Sequence, residues 1–140
     1  MRRILAAVVV PALMGVMAAC SHDGMLTRPE GPVSAVYDLS SLNGASLPYS
    51  QTIGGSSLKL TGDVLVLFAN GSYSDTTYYE SAFGQSIQKS TSVERGMYKE
   101  SGNAITFTNV SSGGTTYRGV RDESSLTQSV STGTLIYRSR

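Results

Sequence analysis

Tyrosine is the residue type best supplied for recognition chemistry, with eight copies in 140 residues. Six of them, Tyr73, Tyr78, Tyr79, Tyr98, Tyr117 and Tyr137, fall in segments of strand-like composition. The ring offers apolar area and the hydroxyl a polar contact at the mouth of a cavity, although the same side chain also suits a half-buried pleated surface with no ligand. Nucleophilic catalysis is poorly supplied. The chain has one histidine, His22, and one cysteine, Cys20, both near its start, so neither a Ser-His-Asp nor a Cys-His arrangement is expected. The same two residues cannot supply the usual ligands of a zinc or iron–sulfur site, nor form an internal disulfide. Glu94, Glu100, Asp122 and Glu123 are candidates for paired acid–base work, but Glu100 adjoins the turn Ser101-Gly102 and Asp122-Glu123 lies between strand-like runs. That placement predicts solvated charges. Gly54-Gly55 and Gly113-Gly114 lack the lysine and following helix of a phosphate-binding loop and read as turns. The expectation is a protein that is not an enzyme and uses no metal or cofactor.

Cys20 has a second kind of chemistry open to it. Residues 1–20 carry Arg2 and Arg3, then an apolar run from Ile4 to Met17, then Ala18-Ala19-Cys20. This is the n-region, h-region and processing site of a signal peptide. The run spans 14 residues and is interrupted by Pro11 and Gly15, whereas a membrane-spanning helix needs roughly 20. Met17-Ala18-Ala19-Cys20 resembles the lipobox of bacterial lipoproteins, which implies acylation of the Cys20 thiol and cleavage before it. The alternative is an ordinary signal peptide with an incidental cysteine. Several acyl chains at about 0.8 kcal/mol per buried CH₂ would make attachment to the membrane effectively permanent. Ser21 follows the cysteine, where the resemblance would place an aspartate for inner-membrane retention, so an outer-membrane location facing the periplasm is expected. Ser21 to Pro32, with Gly24, Pro29, Gly31 and Pro32, has no sustained period and reads as a tether. Removing residues 1–19 takes away Arg2 and Arg3 from eleven Lys and Arg and leaves nine against ten Asp and Glu. A balance near neutrality does not suggest a nucleic-acid partner.

These candidates must be positioned by strands. From Val33 onward the chain consists of short β-type runs: Val33–Leu39, Leu58–Leu60, Val64–Phe68, Ser72–Tyr79, Ile87–Lys99, Ala104–Asn109, Thr115–Val120, Ser125–Val130 and Thr134–Arg138. Val64–Phe68 is apolar on both faces, as in a strand deep in a barrel. Asn70-Gly71 has the composition of a two-residue hairpin turn with positive φ at both positions. No helical period longer than one turn competes. The domain over residues 33–140 is therefore predicted to be all-β, a single antiparallel up-and-down β-barrel of about eight strands, with a β-sandwich as the alternative. The division is signal peptide 1–19, acylated tether 20–32 and barrel 33–140.

Within that span several small signatures resemble those of lipocalin-like domains in bacterial lipoproteins of unknown role. They are Tyr37-Asp-Leu39, Leu42-Asn43-Gly44, Leu47-Pro48, Gly62 before an apolar strand, Asn70-Gly71-Ser72-Tyr73, Gly96-Met-Tyr98, Ile105-Thr-Phe107, Leu126-Thr127 and Tyr137-Arg138. The resemblance implies an eight-stranded barrel enclosing a small apolar ligand. The inward residues expected to line it are Tyr37, Leu65, Leu67, Tyr73, Tyr98, Phe107, Tyr117 and Tyr137. Two functions remain open. One is a lipid-anchored envelope protein that carries an apolar ligand in a void. The other is a non-enzymatic interaction or inhibitor module of the envelope, with a filled barrel and working loops such as 81–92 or 111–114.

Overall fold

The computed structural model describes residues 31–140; the expected signal segment 1–19, Cys20, His22 and the expected tether as far as residue 30 lie outside the described residues. The described chain is all-β, in ten strands: β1 (Val33–Leu42), β2 (Ala45–Ser46), β3 (Tyr49–Ile53), β4 (Ser56–Phe68), β5 (Ser72–Phe83), β6 (Ser86–Ser101), β7 (Ala104–Asn109), β8 (Thr115–Arg121), β9 (Ser125–Val130) and β10 (Gly133–Ser139). Eight of them, β1 and β4 to β10, close a ring in which every neighbouring pair is antiparallel. Closure comes from β1, which pairs with β10 on one side and with β4 on the other. A closed barrel leaves no sheet edge within the ring, whereas a sandwich would leave several. β2 and β3 are additions, β2 lying on β1 and β3 on β4.

The predicted runs Leu58–Leu60 and Val64–Phe68 form one strand, β4. The polar stretch between them is absorbed by a bulge, because Leu60 pairs with Tyr79 and Gly62 with Tyr78, leaving Thr61 as an extra residue. An extra residue reverses which alternate positions face inward. Leu58 and Leu60 therefore face the interior on one side of the bulge, and Asp63, Leu65 and Leu67 face it on the other. Tyr49–Ile53, absent from the predicted runs, forms β3 by pairing with Ser56–Leu60. The stretch 81–92 is not a loop but the far end of the β5–β6 hairpin, paired up to Phe83 and Ser86.

Asn70-Gly71 does join β4 to β5, though through a different turn. Only Gly71 has positive φ, at 80°, and its N–H donates to the Phe68 carbonyl at 3.0 Å. Asn70 instead uses Oδ1 to accept from the Ser72 backbone N–H and hydroxyl, at 3.0 and 2.6 Å. The loop thus has three residues and a left-handed glycine at its end. The two-residue form occurs at Asn43-Gly44, with φ of 52° and 81°, between β1 and β2.

The barrel has two unlike ends. Toward the 69–71 turn it is filled by Tyr37, Leu65, Leu67, Tyr73, Ile105, Phe107 and Leu126, all buried. Phe107 is the hub, with Tyr73 edge-on at 5.2 Å and Tyr117 stacked at 5.1 Å between ring centroids. Tyr98 closes this end by donating its hydroxyl to the Phe68 carbonyl at 2.9 Å. At the other end the sheet extends beyond the ring. β6 pairs with β7 only from Gly96 onward, so its first half is held by β5 alone. With β3 and the start of β4 this makes a four-stranded wall standing above the barrel.

Candidate functional site

A cavity of about 800 Å³ occupies the end of the barrel beneath that wall. Its upper sides are apolar, with Leu42, Tyr49, Leu58 and Leu60 from the wall and the neighbouring strands, and Leu39 and Leu135 opposite. The Thr61 bulge makes this possible, since it brings Leu58 and Leu60 to the same face as Leu65 and Leu67. The turns after β7 and β9 complete the rim with Ser112, Ser131 and Thr132.

The floor is polar. Alternation places Asp63 of β4, Asp75 of β5 and Glu94 of β6 inward, and Asp75 stands directly opposite Glu94 in the ladder. Glu94 Oε1 accepts two phenol hydroxyls, from Tyr73 at 2.5 Å and Tyr117 at 2.7 Å. Thr77 donates to Asp63 Oδ2 at 2.7 Å. Burial first, and then the phenol neighbour and Glu94, pushes the Tyr117 hydroxyl far above its ordinary value. Tyr73 and Tyr137 are raised as well, each by burial first and then by the carboxylates near it. These phenols are neutral donors at any physiological pH. Burial, followed by the Asp63 and Glu94 carboxylates, pushes Asp75 up to about 9. Asp75 therefore carries its proton at neutral pH.

Of the residues expected to line a cavity, Tyr117 and Tyr137 do reach its wall. Tyr37, Leu65, Leu67, Tyr73, Tyr98 and Phe107 lie deeper, where they belong to the packed end or rest against it. Glu100, Asp122 and Glu123 are exposed, as their turn positions suggest. Glu94 is not, because it has the same alternation as Gly96 and Tyr98 and so faces the interior. Asp63, Asp75 and Gln128 were not anticipated. Their signal is parity alone: each is two residues from an inward apolar or aromatic side chain, Leu65, Tyr73 and Leu126 respectively.

The class defined by this geometry is a closed eight-stranded antiparallel barrel, filled at one end and hollow at the other, an architecture that fits a lipocalin-like fold. The chain matches no protein-family model and no curated protein sequence.

Proposed function

We propose that this chain is a lipid-anchored protein of the bacterial cell envelope whose lipocalin-like barrel holds a small molecule with an apolar body. One observation carries the binding part. The open end contains about 800 Å³ walled by leucine and tyrosine, within the range of roughly 300–1,000 Å³ usual for small-molecule sites, while the other end of the same barrel is packed solid. A scaffold that fills one half can hold the other half empty without losing its shape. Anchoring rests on Met17-Ala18-Ala19-Cys20 and on the tether after it. It agrees with the outer face of the barrel, where Thr106, Arg118 and Ser129 stand side by side across three strands, since a barrel embedded in lipid would carry an apolar band there.

The binding reading is tested by expressing the full chain in a bacterial envelope and recording native mass spectra before and after unfolding. A reproducible mass released on unfolding is expected, and a bare chain in every preparation overturns it. Anchoring is tested on the full-length Cys20→Ser variant by radiolabelled palmitate incorporation and cell fractionation. Loss of label and of membrane association is expected; full retention of both sinks the lipid anchor.

A further inference from the structure

The floor of the cavity is acidic and its hydrogen bonding is incomplete. Oδ1 of Asp63 and Oδ1 of Asp75 are buried carboxyl oxygens without a hydrogen-bond partner beyond the proton Asp75 carries, and Gln128 Nε2 is a buried donor with none. Gln128 is 1% exposed and Asp63 is 7% exposed, and both line the cavity. A buried polar group left unbonded costs free energy relative to a bonded one, so three along one cavity describe a surface shaped for something that supplies the missing partners. The charge selects what that is. Among the described residues no lysine, arginine or histidine lines the cavity, so nothing there offsets the carboxylates of Asp63 and Glu94. A carboxylate or phosphate ligand would be repelled, and a neutral alcohol would leave the charge of Asp63 and Glu94 unbalanced. Among the described residues no three His, Cys, Asp or Glu side chains converge as a metal site requires. An organic ammonium brings several N–H donors and a positive charge.

We infer that the cavity takes an amphiphilic amine, its protonated nitrogen on Asp63 and Asp75 and its apolar stem along Leu39, Leu58, Leu60 and Leu135. Gln128 Nε2 then donates to an oxygen carried near the nitrogen, so an amino alcohol or amino carbonyl compound fits better than a bare alkylamine. This deepens the proposed binding function and rests on it. The groups around Asp75 are Tyr73 of its own strand, Asp63 from β4, Glu94 from β6 and Tyr137 from β10. All are acids or phenols, so an arriving cation favours loss of the Asp75 proton. Affinity for the amine therefore rises with pH across the neutral range, until the amine itself deprotonates near its ordinary value of roughly 10.

The test uses the full chain in lipid nanodiscs, with empty nanodiscs as blank, titrated with three probes of one stem: 2-amino-1-octanol, 1-octanol and octanoate. Calorimetry is expected to show the amine binding at least about tenfold more tightly than the alcohol, with proton release detected by changing the buffer, and octanoate not binding. The double variant Asp63→Asn, Asp75→Asn is expected to lose that preference while still binding octanol. Equal affinity for amine and alcohol in the unaltered chain overturns the amine and leaves the cavity reading standing. Failure of all three probes to bind overturns both, and neither of these outcomes depends on the folding of the variant.

Discussion

At the scale of single residues, Asp75 has the clearest consequence. Its pKa in the folded chain is about 9, against an ordinary value of 3.8. The folded state thus binds more protons than the unfolded chain between those values, and stability falls as pH rises through that window. An asparagine reproduces the protonated shape and removes the titration. Asp75→Asn is therefore expected to melt roughly 4 °C or more above the unaltered chain at about pH 8, with the gap closing toward about pH 4. Thermal denaturation followed by circular dichroism across that range checks it, and parallel curves for the two proteins would contradict a buried, protonated Asp75. At Glu94 both phenol donors converge on one oxygen. Tyr117→Phe keeps the stack on Phe107 and removes one of the two donors. Its expected cost is about 1–2 kcal/mol, read from urea unfolding.

At the scale of elements, two local features set the register on which the cavity depends. Gly96 lies where β6 crosses under Tyr73: a Cβ there would sit 2.6 Å from Tyr73 Cε1 and closer still to the backbone oxygen of Thr108. Backbone cannot swing aside as a side chain can, so Gly96→Ala is expected to lower stability by about 1–3 kcal/mol and to shift the Tyr73 ring resonances in a proton NMR spectrum. Thr61 matters by being surplus. Deleting it would join Leu60 directly to Gly62 on the consecutive rungs they already occupy, opposite Tyr79 and Tyr78, and so leave Leu58 and Leu60 facing inward. Such a deletion variant should still close the ring and bind no more of an apolar surface dye than the parent; a rise in dye binding would show that the bulge does more than absorb one residue. Much of the ring was legible beforehand, because Ser72–Tyr79, Ala104–Asn109 and Ser125–Val130 announce themselves by alternation and by the turns between them. The wall was not. Gln51 and Thr52 of β3 are polar and gain their place only by pairing with the start of β4, and no local pattern shows that a strand will run on through Thr61-Gly62. The floor was hidden for a related reason: Asp63, Asp75 and Glu94 look like solvated charges until neighbouring strands fix which way alternate residues face.

At the scale of the whole molecule, stability and the proposed binding belong to opposite ends of one barrel. The packed end buries Phe107 completely, in contact with Tyr73 and Tyr117, and the mouth of the cavity carries Leu58 at 43% exposed. Removing a fully buried phenylalanine side chain costs about 3–5 kcal/mol, whereas truncating a half-exposed leucine costs roughly 1 kcal/mol or less. Phe107→Ala should therefore unfold at much lower urea, while the fraction that remains folded still binds. Leu58→Ala should unfold almost where the parent does but hold its ligand more weakly, because the wall loses the apolar contact it makes above the floor. The pair is read on the same two measurements, a urea midpoint and the mass released from the native protein. If Leu58→Ala instead lost stability and kept its ligand, the wall above the ring would be bracing the barrel, and the hollow end would owe its shape to structure rather than to binding.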